Sequence, residues 1–288
     1  MTCVTYPSPL RYPGGKKKLI GFVKDVIECN DLLGGTYIEP FAGGASVALS
    51  LLFTEYVNNI IINDIDRSIY AFWYSAINNT EDLCRLIRDT TVSVDEWDRQ
   101  RAVQEHKIDC DTLELGFSTF FLNRTNRSGI VKGGIIGGRE QTGKWKIDCR
   151  YNRTDLIKRI EKVALYANRI ELHNQDAIDF INSIRPVLDA NVLIYFDPPY
   201  YNPGAALYAN FYTPDDHREL SEFIKRLECK WMLTYDYTPD IIELYRDSDR
   251  RLLTLSYTAA QKIRGSEMIA FSDNFVIPTG TYSSVTIE

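Results

Sequence analysis

Thr36-Tyr37-Ile38-Glu39-Pro40-Phe41-Ala42-Gly43-Gly44-Ala45-Ser46 is the stretch that decides the fold. A short apolar run ends at Pro40, glycines follow, and Val47-Ala48-Leu49-Ser50-Leu51-Leu52-Phe53 continues at once as a helix candidate. A strand that turns through glycines into a helix is the opening unit of an α/β domain. The glycines let a ligand approach the backbone closely, and the helix start leaves N–H groups open to it. Twenty residues after Gly44, at the end of the next apolar run Asn59–Asn63, stands Asp64, where a carboxylate can accept hydrogen bonds from ribose hydroxyls. Phe41, Ala42, Gly43, Gly44 and Asp64 are therefore a candidate nucleoside-cofactor site. On these residues alone, a tight turn beside a strand-end acid stays open.

Outward from this unit the alternation continues. Candidate strands are Thr36–Phe41, Asn59–Asn63, Arg169–His173, Val192–Phe196, Trp231–Tyr235 and Leu252–Tyr257, mostly short and apolar as buried strands should be. Helix starts are marked by Thr213-Pro214-Asp215-Asp216 and Thr238-Pro239-Asp240, each an N-cap threonine before a first-turn proline with carboxylates nearby. Leu19–Cys29 reads as a further helix. At the C-terminal end, Glu267–Phe271 and Phe275–Ile277 read as the two strands of an antiparallel hairpin divided by Ser272-Asp273-Asn274. The expectation is a largely parallel sheet with helices on both faces.

From about Asn78 the chain breaks the pattern, running helical and charged before Gly133-Gly134-Ile135-Ile136-Gly137-Gly138 and Lys144-Trp145-Lys146. Residues 78–154 are read as an inserted, mainly helical subdomain, with 1–77 and 155–288 as the parent domain. A chain of 288 residues with 44% hydrophobic content suits one large domain or one domain with an insertion. The net charge of -6 argues against a pervasively basic nucleic-acid coat protein, yet it is uneven. Arg124 to Arg153 carries +6 and Arg11 to Lys18 carries +4, leaving -16 for the rest.

No apolar stretch approaches the roughly 20 residues that span a bilayer, and the first residues show no secretory signal. Six scattered cysteines without a CxxC pair suit reduced thiols in a cytoplasmic protein. His106, His173 and His217 lack metal-site spacing, so no metal is expected. Gly138-Arg139-Glu140-Gln141-Thr142-Gly143-Lys144-Trp145 nearly matches a phosphate loop, but Trp145 stands where a hydroxyl is required.

The sharper chemical signal is Asp197-Pro198-Pro199-Tyr200, directly after Val192–Phe196. Two prolines end the strand and stiffen the turn at the carboxyl edge, where open α/β sheets bind ligands. An exocyclic amine conjugated with a purine is a poor nucleophile. The Asp197 carboxylate and the Pro198 carbonyl could accept its two N–H hydrogens and draw the nitrogen toward tetrahedral geometry, while Tyr200 stacks on the ring. A rigid proline turn with a buried tyrosine is the structural alternative.

Taken in order, Leu10-Arg11-Tyr12-Pro13-Gly14-Gly15-Lys16, Tyr37 to Gly44, Asn63-Asp64-Ile65-Asp66, Phe120-Phe121-Leu122-Asn123-Arg124 and Asp197 to Tyr200 resemble the Dam-type, α-class N6-adenine DNA methyltransferases. The resemblance covers nearly the whole chain. The sequence leaves the oligomeric state open, with a monomer favoured; the resemblance implies a Rossmann-like methyltransferase sheet, S-adenosyl-L-methionine as cofactor and double-stranded DNA as partner. It further implies that Tyr12 and Lys16 belong to the cofactor site, that Phe41 to Gly44 cradle the methionine part, that Asp64 holds the ribose and that Asp176 binds the cofactor adenine. Asp197, also counted at the cofactor site, would take the target base with Pro198, Pro199 and Tyr200. Arg264-Gly265-Ser266-Glu267 loosely resembles the family's last motif.

In the insert, GATC-specific members carry an aromatic-Asn-Gly triplet and then an arginine, whereas this chain has Arg127-Ser128-Gly129 and then Lys132. Its base-reading side chains therefore differ. Arg124, Asn126, Arg127, Ser128, Lys132, Arg139 and Lys144 are the candidate DNA-binding residues. The expected activity is methyl transfer to the N6 amino group of an adenine flipped from the duplex. Methylation of RNA or another planar amide, a catalytically silent DNA-binding regulator, and a nicotinamide dehydrogenase are the competing readings.

Overall fold

Val192–Phe196 is buried at all five positions, as a strand can be only when both faces of its sheet are covered. The computed structural model describes residues 7–12, 14–188, 191–201, 212–258, 262–280, 282 and 285–287. The expectations on the first six residues, including Cys3, and on Pro13 lie outside them. Among the described residues the strands are β1 (Thr36–Glu39), β2 (Asn59–Asn63), β3 (Ile170–His173), β4 (Val192–Phe196), β5 (Lys230–Asp236), β6 (Asp249–Thr258), β7 (Lys262–Phe271) and β8 (Val285–Ile287). The helices are α1 (Ile20–Cys29), α2 (Ser46–Phe53), α3 (Arg67–Asn78), α4 (Thr80–Asp89), α5 (Val94–Glu105), α6 (Thr112–Thr125), α7 (Arg153–Leu165), α8 (Ala177–Ser183), α9 (Pro214–Ile224) and α10 (Pro239–Leu244). None of them is long and apolar enough to cross a membrane.

The chain divides into two compact units. The first takes in the described residues up to Gly15, together with Gly43–Ser46 and Asp64–Asn174; the second takes in Lys16–Ala42, Val47–Asn63 and the described residues from Gln175 onward.

In the second unit the strands lie in the order β2-β1-β4-β5-β7-β6-β8. β1 pairs in parallel with β2 and β4, and β4 with β5, so the strand order reverses between β1 and β4. That crevice is where open α/β sheets of Rossmann-like order take their ligands. Ile38, Ile194, Phe196 and Leu233 are buried beneath Phe180, Leu220 and Ile224 of the flanking helices. β1 stops at Glu39 because Pro40 has no N–H to continue the ladder. The threonine-proline helix starts form as read. Thr213 accepts from the Asp216 N–H in a reciprocal capping box, and Thr238 accepts from the Ile241 N–H.

The C-terminal hairpin is a correction. β7 pairs antiparallel with β6 on one side and with β5 on the other, while Phe275–Ile277 forms no strand. Instead, the buried side chain of Asn30 takes both backbone groups of Val276. Its Oδ1 accepts the Val276 N–H at 2.9 Å and its Nδ2 donates to the carbonyl at 2.8 Å. One amide thus substitutes for a neighbouring strand.

In the first unit, α3 to α7 pack around aromatic side chains. Phe72 stacks on Phe120 with ring centroids 6.0 Å apart, and Tyr151 meets Phe120 and Phe121 edge-on. Gly116 is required where α6 crosses α3, since a Cβ there would lie 2.5 Å from the Ala71 carbonyl oxygen. Residues 78–154 lie wholly inside this unit, which also holds α3, α7 and β3.

Asn30→Ala should strand the backbone N–H and carbonyl of Val276 and cost about 1–3 kcal/mol, read as a shift in the urea midpoint with an unchanged slope. An unshifted midpoint would show that water replaces the amide without loss.

Candidate active site

In the second unit the sequence Asp197-Pro198-Pro199-Tyr200 leaves the carboxyl end of β4, and the side chains around it converge. Asp197 Oδ1 accepts from Lys16 Nζ at 2.7 Å and from Thr234 Oγ1 at 2.9 Å, and Oδ2 accepts from the same Nζ at 3.0 Å. Thr234 comes from β5, the strand hydrogen-bonded to β4. Lys16 also donates to the Tyr200 hydroxyl at 3.2 Å, its ammonium 5.3 Å from that ring's centroid. The Tyr200 hydroxyl donates to Glu267 Oε1 at 2.6 Å, and Glu267 Oε2 lies 3.6 Å from Lys16 Nζ. Burial opposes the charge on Lys16, but Asp197 first, then Tyr195 and Glu267, outweigh it and hold the ammonium well above the ordinary lysine range. Burial pushes the Glu267 carboxyl up, against the pull of Lys16.

Two further acids shape this unit. Glu39, at the end of β1, accepts the Ala48 N–H at 3.1 Å and so secures the start of α2. Burial raises its carboxyl to about 8. Asp176 caps α8 by accepting the Ile178 N–H at 2.9 Å. Phe41 meets Tyr212 edge-on at 6.1 Å, and Ala42 is buried.

In the first unit, Gly43 has φ +44°, and a Cβ there would lie 2.6 Å from the Tyr12 ring; one at Gly44 would lie 3.0 Å from the Tyr12 Cβ. The turn is therefore packed directly under Tyr12. Asp64 holds it, Oδ2 accepting the Gly43 N–H and Oδ1 the Asp66 N–H, each at 2.9 Å. Trp73 Nε1 donates to the Gly43 carbonyl at 2.9 Å. A carboxylate offers about four lone-pair positions, so Asp64 keeps acceptor capacity for a diol.

The insert residues separate into two groups. Arg124 is 7% exposed, and its guanidinium donates to the Pro9 carbonyl from Nε at 2.9 Å and from Nη2. Asn126 is fully buried, taking the Trp97 Nε1–H at 2.6 Å and donating to the carbonyls of Ile130 and Val131. The structure places both in the interior, where they tie down backbone. Arg127, Ser128, Lys132, Arg139 and Lys144 are exposed. Arg139 forms a two-pronged pair with Asp98 at 2.8 Å, and Lys144 lies 5.6 Å from the centroid of the exposed Trp145. Arg127, Thr142, Lys144 and Trp145 line an open cleft of about 470 Å³ with the flanking glycines.

Thr234 was missed as a site residue because a threonine in an apolar strand reads as packing. Glu267, singled out only through a loose motif, carried a better signal: a carboxylate opening the apolar run Met268–Phe271.

Burial also raises the Asp64 carboxyl, to about 7. The folded chain therefore holds that proton more tightly than the unfolded one. The resulting stabilisation is complete below pH ~4 and is lost as pH rises toward 7. Urea melts between pH 4 and 8 should show wild type losing stability relative to Asp64→Asn across that window; parallel curves would remove Asp64 as the source.

Type II methyltransferase M.MjaIII of Methanocaldococcus jannaschii is 27% identical over 261 residues, covering 80% of this chain and 84% of that protein. Type II methyltransferase M.CviBI of Paramecium bursaria Chlorella virus NC1A is 25% identical, covering 82% and 85%. Modification methylase StsI of Streptococcus sanguinis is 25% identical over 68% of this chain and 30% of its own length. The family model that matches runs from residue 12 to residue 261, through Gly43, Asp64 and Asp197 alike, and the chain belongs to the D12 class N6 adenine-specific DNA methyltransferases.

Proposed function

We propose that this chain transfers the methyl group of S-adenosyl-L-methionine to the N6 amino group of an adenine swung out of double-stranded DNA. The observation that carries the reading is the Asp197–Tyr200 turn at the carboxyl edge of β4, beside the strand-order reversal, with Asp197 fixed by Thr234. Asp197 Oδ2 and the Pro198 carbonyl would accept the two N–H hydrogens of the amine, and Tyr200 would pack on the base. These contacts draw the nitrogen lone pair out of conjugation and aim it; positioning is then the main task left to the protein.

The residues present suit the cofactor. The Gly43–Gly44 turn, without side chains, lets the Tyr12 ring lie directly on its backbone, and Asp64 retains acceptor capacity for ribose hydroxyls. We assign Tyr12, Phe41, Ala42, Gly43, Gly44, Asp64 and Asp176 to holding it. When bound, the cofactor supplies a methyl group on a positively charged sulfur, an electrophile that needs no metal. Lys16, read from the sequence as a cofactor residue, is assigned here to Asp197.

Residues 78–154 are taken as the target-recognition insert and 1–77 with 155–288 as the catalytic part. DNA contact is assigned to the exposed Arg127, Ser128, Lys132, Arg139 and Lys144, with Arg124 and Asn126 shaping the backbone that presents them.

Asp197→Ala should abolish N6-methyladenine, measured by nucleoside mass spectrometry of treated DNA, while cofactor binding by calorimetry stays within a few-fold of wild type. Near-normal turnover would sink the assignment, and label transferred to RNA or protein in place of DNA would redirect it. Arg127→Glu and Lys132→Glu should each weaken DNA binding and lower the slope of log K against log salt by about one. Unchanged slopes would locate recognition elsewhere.

A further inference from the structure

An ammonium has three N–H donors, and the three of Lys16 already have acceptors in Asp197 Oδ1, Asp197 Oδ2 and the Tyr200 hydroxyl. Thr234 adds a fourth bond to the same cluster. Both carboxylate oxygens that would receive an incoming amine are therefore engaged by a cation. Oδ1 has both lone pairs taken, by Lys16 and Thr234, while Oδ2 keeps one, so an amine N–H arriving there shares its oxygen with the ammonium and binds better if that cation has somewhere else to go.

Glu267 supplies the place. Its residue is 5% exposed, its Oε2 is buried with no hydrogen-bond partner among the described residues, and it lies 3.6 Å from Lys16 Nζ. A buried carboxylate oxygen without a donor is costly, and a small swing of the ammonium satisfies it. Its other oxygen, Oε1, holds the Tyr200 hydroxyl at 2.6 Å. The residue is pinned by the β7 ladder, opposite Asp236 of β5 and Leu253 of β6.

We propose that Glu267 is a positioning residue for methyl transfer: it provides the second seat for Lys16, which rests on Asp197 before the base arrives and is drawn to Glu267 Oε2 when the amine enters. The move takes the competing ammonium off Asp197 Oδ2 and leaves that oxygen to the amine N–H. It also pairs the ammonium with its own anion while positive charge develops on the attacking nitrogen, a charge that an unshifted Lys16 would oppose. Through Oε1 the same carboxylate keeps the Tyr200 ring in place during the exchange. The inference rests on the reading of Asp197 as the amine acceptor.

Glu267→Gln keeps the shape of the side chain and an acceptor for Tyr200 but removes the anion. Turnover of the intact enzyme would be measured on a duplex carrying the sequence that wild type methylates, with cofactor affinity measured by calorimetry. The expected result is a fall in kcat of at least tenfold, with the cofactor Kd within twofold of wild type. Glu267→Asp should lose less, because it restores the charge at shorter reach. Should the glutamine variant fail to fold, the aspartate variant decides alone: a several-fold fall in kcat at unchanged cofactor Kd is expected. Wild-type kcat in the variants overturns the proposal, as does an equal loss in kcat and cofactor affinity, which marks a merely structural role. If wild type itself forms no N6-methyladenine, the amine reading of Asp197 falls and takes this inference with it; wild-type product with an unaffected Glu267→Gln overturns this inference alone.

Discussion

A buried ammonium cannot stand without an anion, and Lys16 is the constraint around which the second unit is built. Its side chain is 2% exposed, so in isolation it would surrender its proton. Removing one partner of such a pair costs about 3–5 kcal/mol, because the remaining charge stays buried. Asp197 stands 181 residues away in the chain, and Glu267 comes from β7. The turn before α1, the end of β4 and the register of β7 must therefore be correct together. The parallel core and its antiparallel extension are held to one geometry by a cluster of charges.

The first unit answers a similar demand with hydrogen bonds to backbone. Asn123 receives the Arg11 N–H at 2.8 Å and donates to the Arg11 and Gly129 carbonyls at 2.7 and 2.8 Å. Beside it, Arg124 binds the Pro9 carbonyl. Phe120 to Arg124 thus ends an apolar helix with two polar side chains that fasten the segment leading to Tyr12. Burial lowers the Arg124 guanidinium to about 9, the cost of that placement. The positive charge counted along the insert is correspondingly smaller at its surface. Arg124 is inside, Arg139 is matched by Asp98, and Arg153 donates to the Thr90 carbonyl.

Much of the fold was legible because its signals are local. Asn59–Asn63 and Val192–Phe196 form strands at the limits their apolar runs set, and Thr213 and Thr238 cap the helices they precede. What was hidden depends on partners far apart in the chain. Phe275–Ile277 has the composition of a strand, yet Asn30, 246 residues away from Val276, takes its hydrogen bonds. Charge counting could not separate Arg124 from Arg127, since burial is a property of the helix each one ends or follows. In the site, Asp197, Tyr200, Gly43 and Asp64 were readable from their turns, whereas Thr234 joins Asp197 only because β5 pairs with β4.

The acids nearest the motifs divide by how their charge is used. Asp64 and Glu39 each accept a backbone N–H from the loop or helix they adjoin, and burial raises them to about 7 and 8. Their protonation is coupled to folding near neutral pH, and they build loops as well as any ligand site. Asp197 instead faces an ammonium held charged by its neighbours, so its role is set by a cation's position. Replacing Asp64 or Glu39 therefore disturbs structure and binding together, and loss of activity at those positions says little about chemistry. The Lys16, Asp197 and Glu267 cluster is different, because changing the charge at Glu267 can alter where the ammonium rests while β7 still holds the chain. Chemistry and folding can be separated there, by charge changes that conserve shape.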